Sequence, residues 1–244
     1  KQINKISDKK FKFIHGDLND RTLLISLFKD NKIDTVLHFA GVKSVSESIK
    51  FPTKYYLNNV AGTINLLKVM EQNHVFKLIF SSSATVYDPE NQIPWKEEFS
   101  TDKLKHPYAD SKIMIENILK SICNINKKWK IGILRYFNPI GAHSSGLIGE
   151  FNINKNTNLM PNINKTFLGC QNSLYVYGND FQTKDGTGVR DYIHIEDLIS
   201  GHLRARDFIQ NKNGIFIWNL GAGKGYSVLE IIEKCSTIYG KKIN

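Results

Sequence analysis

The sequence has 244 residues, of which 41% are hydrophobic and 23% are charged, and its formal net charge is +10. A chain of this length can bury a hydrophobic core and fits one large domain or two small ones. No apolar window reaches the roughly eighteen residues of a membrane helix and no signal-peptide pattern is present, so we predict a cytoplasmic protein without membrane partners. The basic residues are scattered rather than clustered, which argues against nucleic acid as a partner.

The spacing of cysteines and histidines indicates neither a disulfide framework nor a metal site. Cys123, Cys170 and Cys235 are far apart and form no CxxC pair, which predicts reduced thiols. The seven histidines form neither HxH nor HExxH, so we predict no bound metal.

Short apolar segments alternate with segments of helical periodicity along most of the chain. In chain order, the apolar segments predict strands at residues 10–16, 34–40, 77–82, 130–138 and 215–221. The periodic segments predict helices at residues 20–31, 52–73, 106–126, 159–169, 195–210 and 227–239. Strands this apolar, separated by helices, are typical of an α/β fold with a doubly wound parallel sheet that is covered on both faces.

The regular alternation loosens near residue 140, and an Asn-rich stretch follows at residues 150–158. We therefore predict one domain over residues 1–139 and a smaller region over residues 140–244. The sequence contains no internal repeat.

Polar or glycine-rich segments follow the first four predicted strands. They read HGD at 15–17, FAGVK at 39–43, SSSAT at 81–85 and RYFNPIG at 135–141. Because ligands of parallel α/β sheets bind beyond the carboxyl ends of the strands, these segments are expected to face a ligand.

Ser83, Tyr108 and Lys112 form the candidate catalytic group. Tyr108 and Lys112 are four residues apart and share one face of a predicted helix, while Ser83 closes the strand before it. An adjacent ammonium would lower the pKa of the tyrosine, and a serine hydroxyl could relay the proton of a substrate alcohol. This chemistry suits oxidation of an alcohol to a ketone with a nicotinamide as hydride acceptor. The alternative is a packed tyrosine beside an exposed helical lysine.

Eight segments, in order and spread over nearly the whole chain, resemble the UDP-glucose 4-epimerase family of extended short-chain dehydrogenases/reductases. The segments are HFAGVKSVSES, YYLNNVAGT, IFSSSATVY, PYADSK, LRYFNPIGAH, NLMP, GTGVRDYIH and NLGAG. The resemblance implies that residues 1–139 are an NAD-binding domain of the Rossmann type and residues 140–244 an incomplete nucleotide-sugar-binding region.

The resemblance also implies an activity, which is interconversion of UDP-glucose and UDP-galactose. NAD would oxidise the sugar at C4, and the 4-keto intermediate would rotate and take the hydride back. In that scheme Tyr108 is the base, Ser83 its proton partner, and Lys112 binds the nicotinamide ribose and polarises Tyr108. The implied cofactor contacts are Asp17, Leu18, Phe39, Ala40, Gly41, Lys43, Asn58, Ser81, Tyr108, Lys112 and Tyr136. The implied substrate contacts are Lys43, Ser83, Phe137, Asn138, Asn158, Leu159, Tyr177 and Arg190.

A homodimer is likewise implied by the resemblance. Members of the family pair through the helices that match residues 52–73 and 106–126 of this sequence. A second copy of the chain is therefore the expected protein partner.

Several implied contacts have a structural alternative. Asp17 could cap the following helix, and Asn138 could belong only to a turn. Arg190 could pair with Asp191 or Asp197, although a planar, bidentate cation in a glycine-rich loop suits a diphosphate.

The glycines of NLGAGKGYS at 219–227 do not have the spacing of a dinucleotide-binding loop. Ser227 and Glu230 form a capping-box pattern that predicts a helix start at this point. The glycines are therefore expected to serve a turn into that helix.

The sequence departs from the family at its beginning. The family starts with a strand, a glycine-rich turn and a second strand, and none of these is in this sequence. In the family's strand order, 3-2-1-4-5, the segment 10–16 would then be separated from its neighbours by two absent strands. We expect either a longer parent polypeptide or a rearranged partial fold, and weak binding of NAD and UDP-sugar by this chain alone.

Other readings of the sequence remain open. A nucleotide-sugar 4,6-dehydratase or decarboxylase is disfavoured because Val86 and Tyr87 stand where dehydratases carry an Asp-Glu pair. Epimerases of UDP-GlcNAc or of UDP-pentoses are further alternatives. A truncated, non-catalytic relative that acts as a binding module is the alternative from a different class.

Overall fold

A computed structural model describes residues 2–7, 9, 11–101, 106–150 and 158–243. Helices and strands alternate along most of these residues. The strands are β1 (Val36–His38), β2 (Lys77–Ser83), β3 (Lys130–Tyr136), β4 (Asn138–Ile140), β5 (Val189–His194), β6 (Gly214–Leu220) and β7 (Gly225–Ser227). The helices are α1 (Ile3–Ile6), α2 (Arg21–Asp30), α3 (Val45–Lys50), α4 (Pro52–Tyr55), α5 (Gly62–Gln72), α6 (Pro107–Ile125), α7 (Leu159–Phe167), α8 (Ile195–Gln210) and α9 (Val228–Tyr239). A π-helical segment (Tyr56–Ala61) joins α4 to α5, and a 3₁₀ turn (Ala84–Val86) follows β2.

The chain forms two compact units. The larger unit comprises residues 11–136 and 200–220, and the smaller unit comprises residues 1–10, 137–199 and 221–244. The change at residue 137 lies close to the predicted boundary after residue 139. Residues 200–220 also belong to the larger unit, because they include β6, the fourth strand of its sheet. The assignment of binding roles to two domains stays a prediction.

A four-stranded parallel sheet in the order β1-β2-β3-β6 is the framework of the larger unit. The register places Ser83 of β2 opposite Tyr136 of β3, and Tyr136 opposite Leu220 of β6. These three strands therefore end at the same level. The parallel sheet with alternating helices confirms the predicted fold class.

Side chains from successive residues of β2 and β3 enter two separate cores, since side chains along a strand alternate between its faces. Leu78 and Phe80 pack with residues of α2, α5 and α6 on one face. Ile79 and Leu134 pack with Ala205 and other residues of α8 on the opposite face. Coverage of both faces explains why β2 and β3 read as nearly continuous apolar runs.

The strand predicted at residues 10–16 is wrong for the residues described there, 11–16. They form neither helix nor strand, they are exposed, and Phe13 is 77% exposed. A strand requires a hydrogen-bonded neighbour, and none of the described strands pairs with this segment. The strand predicted at 34–40 is reduced to β1, which pairs on one side with β2.

The smaller unit contains a sheet that the sequence pattern did not indicate. β4 pairs in parallel with β5, and β5 pairs antiparallel with β7. The predicted capping box at the start of α9 is confirmed, since Ser227 accepts from Glu230 N and the Glu230 side chain accepts from Ser227 N. Most of the Asn-rich stretch at 150–158 lies outside the described residues.

Replacing Ile133 with alanine tests the position of β3 in the core. Ile133 is 0% exposed, so we expect the free energy of unfolding to fall by about 2 to 5 kcal/mol in urea titrations. Ile125→Ala is the matched control, because Ile125 lies at the end of α6 and is 83% exposed. Its effect should stay within about 0.5 kcal/mol. Equal losses in the two variants would contradict the placement of Ile133.

Candidate active site

Twelve of the implied site residues lie in the larger unit, around the carboxyl ends of β1, β2 and β3. β1 runs into Phe39, β2 ends on Ser83, and β3 ends on Tyr136. Parallel strands bring these ends to one edge of the sheet, as the sequence predicted. The complete set is Asp17, Leu18, Phe39, Ala40, Gly41, Lys43, Asn58, Ser81, Ser83, Tyr108, Lys112 and Tyr136.

Tyr108 and Lys112 lie on the first two turns of α6. The helix begins at Pro107, a residue well suited to the first helical position, and the His106 ring caps it by accepting from Ala109 N at 3.1 Å. The His106 ring also stacks on Tyr108, and the Tyr55 ring meets Tyr108 edge-on at 6.4 Å between centroids. These contacts orient the phenol at the start of the helix.

The Tyr108 hydroxyl interacts with the Ser83 side chain. Burial raises the pKa of Tyr108, and the hydrogen bond with Ser83 opposes this by lowering it. The net direction is upward, whereas the sequence led us to expect that Lys112 would lower this pKa. The Lys112 ammonium instead donates to the Ser81 carbonyl oxygen at 2.7 Å and lies 4.9 Å from the centre of the Phe80 ring.

Lys112 is itself buried, and burial favours the neutral form of its side chain. Burial lowers its pKa to about 8, while the carboxylate of Glu116 acts in the opposite direction. His38 of β1 is affected by the same ammonium: burial and then the charge of Lys112 lower the pKa of His38 to about 4. The His38 ring therefore stays neutral near pH 7, and its Nε2 contacts Thr63 Oγ1 at 2.8 Å.

Ser81, Tyr136 and His202 form a polar chain on the opposite face of the sheet from α6. Ser81 Oγ donates to the Tyr136 hydroxyl at 2.6 Å, and the same hydroxyl contacts Nε2 of His202 on α8. The His202 ring also lies 4.9 Å from the Phe39 ring, measured between centroids. Burial raises the pKa of Tyr136. Two implied cofactor contacts, Phe39 and Tyr136, thus share one buried histidine.

Asn59 of the π-helical segment forms hydrogen bonds with the loop after β1 and with α6. Its Oδ1 accepts from Val42 N at 2.8 Å, and its Nδ2 donates to Val42 O and to Ser111 Oγ, both at 3.0 Å. A side chain at Gly41 would place its Cβ 3.0 Å from Asn59 Oδ1, so the close approach of this loop requires glycine. π-helical turns of this kind are frequent at functional sites.

A cavity of about 360 Å³ lies in the larger unit beside this loop. Five implied cofactor contacts line it: Asp17, Leu18, Ala40, Gly41 and Asn58. The cap of α2 is Asp20, which accepts from Leu23 N at 2.9 Å, whereas Asp17 accepts from Asn19 N. The capping alternative for Asp17 is therefore wrong, and its placement at the cavity fits a cofactor contact.

The other implied substrate contacts lie in the smaller unit. Asn138 is part of β4 and pairs with Tyr192 of β5, so it is more than a turn residue. Asn158 and Leu159 mark the start of α7, and Tyr177 is strongly exposed. Phe137 lies next to Gly221, since a Cβ at that glycine would meet its ring at 3.1 Å.

Arg190 on β5 does not form the alternative pairs that the sequence left open. Asp191 instead accepts from the backbone N–H groups of Ala222 and Gly223, at 2.7 and 2.8 Å. The Arg190 guanidinium donates to the carbonyl oxygen of Val189 at 2.8 Å, and among the described residues it forms no ion pair. Its charge is available to an anionic ligand.

The described residues contain neither a metal-binding cluster nor a membrane-spanning helix. In these ranges no group of three or more His, Cys, Asp or Glu side chains is arranged to hold a metal ion. No helix within the same ranges is both long and apolar enough to cross a membrane. The cytoplasmic location expected from the sequence stays a prediction.

Sequence reasoning missed four residues that contact the site: His38, Asn59, Glu116 and His202. Glu116 had a signal, because it follows Lys112 by four residues and continues the face that Tyr108 begins. The others carry no spacing signal, since their partners are distant in the sequence.

The chain is similar to known proteins over nearly its whole length. The NAD dependent epimerase/dehydratase family matches the chain over residues 1–221. The UDP-glucose 4-epimerase of Drosophila melanogaster is 47% identical over 245 residues, which cover 100% of this chain and 70% of that relative. The UDP-glucose 4-epimerase of Yersinia enterocolitica is 48% identical over 242 residues, covering 99% of this chain and 71% of that relative.

A solved structure gives the same result for the fold. The UDP-glucose 4-epimerase from Bifidobacterium longum, in complex with NAD⁺ and UDP, has a TM-score of 0.95 and 45% identity. The similarity covers 99% of this chain and 72% of that chain. The present chain thus spans about 70% of the length of its relatives.

His38 should make the stability of the protein sensitive to acid. Its pKa is about 4 in the folded chain and near 6.5 when unfolded, so the unfolded chain binds more protons between these values. Stability from the neutral ring is complete above pH 6.5 and is lost as the pH falls towards 4. We expect this group to reduce the free energy of unfolding by about 2 kcal/mol between pH 7 and pH 5, measured by urea titration.

His38→Gln is the control for this effect, because its amide can still bond to Thr63 but does not titrate. The loss between pH 7 and pH 5 should be smaller in the variant by about the same 2 kcal/mol. Identical losses in both proteins would show that His38 is not the responsible group.

Proposed function

The chain belongs to the NAD-dependent epimerase/dehydratase family, and from this membership we propose that the protein interconverts UDP-glucose and UDP-galactose. One observation carries the proposal: the Ser83 side chain bonds to Tyr108 at the carboxyl edge of the sheet, with the Lys112 ammonium buried one helical turn away. The names of the curated relatives support the same reaction, since both relatives described above are UDP-glucose 4-epimerases.

Tyr108 is the group that moves the proton. Its phenolate takes the proton of the C4 hydroxyl as the C4 hydride leaves, and it returns the proton when the hydride comes back on the opposite face of the sugar. NAD would supply the acceptor for this hydride and the donor for its return, so the reaction has no net redox change. Ser83 holds the C4 oxygen within reach of Tyr108. Because burial raises the pKa of Tyr108, the phenolate depends on the hydrogen bond with Ser83, which lowers that pKa.

The residues of the larger unit fit a dinucleotide. Asp17 and Leu18 would hold the adenine end in the cavity, and Gly41 would let the loop after β1 pass close to the pyrophosphate. The remaining implied contacts on this loop and on the π-helical segment are Phe39, Ala40, Lys43 and Asn58. At the nicotinamide end the contacts are Ser81, Tyr108, Lys112 and Tyr136.

Residues of the smaller unit would bind the UDP-sugar. The Arg190 guanidinium suits the diphosphate, because it is planar, always charged and not neutralised by a carboxylate among the described residues. Within the smaller unit, the other proposed substrate contacts are Phe137, Asn138, Asn158, Leu159 and Tyr177. Within the larger unit, the proposed substrate contacts are Lys43 and Ser83.

Elimination of water is disfavoured by the environment of Val86 and Tyr87. Val86 is buried, and the Tyr87 hydroxyl donates to Asn219 Oδ1 at 2.6 Å and accepts from Arg135 at 2.9 Å. Both positions serve packing and hydrogen bonding inside the larger unit. They offer no acid and base pair of the kind that a dehydratase needs.

We also propose that the protein forms a homodimer through the helices at residues 52–72 and α6. Leu57, Ile64 and Met114 are exposed apolar side chains on these elements. Large apolar side chains are more common at protein interfaces than on the remaining surface.

Tyr108→Phe in the full-length polypeptide tests the assigned base. The variant cannot take the proton from the C4 hydroxyl, so we expect interconversion of UDP-glucose and UDP-galactose to fall at least about 100-fold. Binding of NAD, measured by its absorbance in the purified protein, should persist.

Tyr239→Phe is the matched control, because Tyr239 lies on α9 in the smaller unit and is half exposed. It should retain the turnover of the unchanged protein. Turnover retained by Tyr108→Phe would remove this residue from the mechanism.

Light scattering at micromolar concentration should give the mass of a dimer for the unchanged protein. Ile64→Glu should reduce that mass to a monomer, because a buried carboxylate at an apolar interface costs desolvation energy. Leu168→Glu, a change at an exposed leucine of the smaller unit, is the control and should stay dimeric. A monomeric unchanged protein would count against the proposed interface.

A further inference from the structure

Glu116 is a further buried polar residue on the face of α6 that carries Tyr108 and Lys112. It follows Lys112 by four residues, as Lys112 follows Tyr108, so the three side chains occupy successive turns of one helical face. Lys112 is 6% exposed and Glu116 is 1% exposed. A carboxylate removed from water to this extent requires partners.

The carboxylate of Glu116 is held by both central strands. Arg135 of β3 grips it through two bonds, Nε to Oε1 at 3.0 Å and Nη2 to Oε2 at 2.6 Å. Ser82 of β2 donates to Oε1 at 2.6 Å. A bidentate, charge-assisted pair of this geometry fixes the position of the carboxylate as well as its charge.

Arg135 is fixed in turn by residues around the 3₁₀ turn after β2. Its Nη1 donates to the Tyr87 hydroxyl at 2.9 Å and to the Glu97 carbonyl oxygen at 3.0 Å. The guanidinium carbon lies 4.8 Å from the centre of the Tyr87 ring, and the Tyr87 hydroxyl donates to Asn219 of β6. Glu116 is therefore anchored to a network that spans three strands.

The charged and titratable groups around Lys112 come from three elements. Glu116 and Tyr108 lie on α6, His38 belongs to β1 and is neutral near pH 7, and Arg135 belongs to β3. Glu116 is the group that opposes the effect of burial on the ammonium. The other stabilising contacts are the Ser81 carbonyl oxygen and the Phe80 ring.

We propose that Glu116 is a positioning residue for Lys112. Its carboxylate, held by Arg135 and Ser82, keeps the Lys112 side chain charged and directed at the Ser81 carbonyl oxygen beneath the catalytic edge. The effect on turnover rests on the proposed function, in which Lys112 holds the nicotinamide ribose. The effect on the charge of Lys112 does not.

Two substitutions at the Glu116–Arg135 ion pair should shift the pKa of Lys112 in opposite directions. Glu116→Gln removes the attraction and exposes Lys112 to Arg135, so the ammonium should lose its proton more readily. Arg135→Gln leaves the carboxylate without its guanidinium, so the ammonium should hold its proton more tightly. If Glu116 served only packing, both variants would have a lower free energy of unfolding, and they would not shift the pKa of Lys112 in opposite directions.

The experiment is an NMR titration of the full-length protein labelled with ¹³C at lysine Cε. The Lys112 signal is assigned by its absence from Lys112→Arg. In the unchanged protein its midpoint should lie near the pKa of about 8, with Glu116→Gln about one pH unit lower and Arg135→Gln higher. Glu116→Gln/Arg135→Gln removes both charges and still predicts a lower midpoint, which covers a failure of the single variant to fold.

Unchanged midpoints in Glu116→Gln or in the double variant, or shifts of the same sign in both single variants, would overturn the proposal. Turnover of UDP-glucose by the unchanged protein is measured separately. Absence of that turnover with opposite shifts would contradict the proposed function alone. Turnover without the shifts would contradict the role of Glu116 alone.

Discussion

The ammonium of Lys112 is taken out of water at the carboxyl edge of the sheet, and the surrounding structure must compensate for its lost hydration. The Ser81 carbonyl oxygen, the face of the Phe80 ring and the carboxylate of Glu116 do so from β2 and α6. His38 stays uncharged in the same buried environment, because burial of its ring, and then the charge of Lys112, lower its pKa to about 4. The charge of Lys112 thus contributes to the ionisation state of a neighbouring group.

The two faces of the sheet divide the polar residues of β2 and β3 into separate networks. Ser82 and Arg135 point to the α6 side, where they meet Glu116. Ser81 and Tyr136 point to the α8 side, where they meet His202. The period of two along a strand therefore places support for the catalytic helix on one face and support for the implied nicotinamide contacts on the other.

The fold was largely readable from the sequence, because apolar runs and helical periodicity record burial directly. β2, β3, β6 and α6 lie where the periodicity predicted them. The strand predicted at residues 10–16 is wrong for residues 11–16, because strand propensity is a local property whereas a strand also needs a hydrogen-bonded neighbour. The candidate site was readable at strand ends such as Ser83 and at the Tyr108 to Lys112 spacing. The Glu116 to Arg135 pair and the contacts of Asn59 were not, because they join residues whose proximity only the three-dimensional fold creates. The predicted direction of the Tyr108 pKa was also wrong, since burial raises this pKa and the opposing contribution comes from Ser83 rather than from Lys112.

The π-helical segment determines which side chains share a face in the long helical stretch from Pro52 to Gln72. Tyr55, Asn59 and Thr63 recur every fourth residue and are all buried, and in an ordinary α-helix, which advances about 100° per residue, such a series drifts by about 40° at each step. The wider turn absorbs this drift and keeps the three side chains in line. Loss of a single residue there would turn every later side chain of the stretch by about 100°, which would move Thr63 away from the face that Tyr55 occupies.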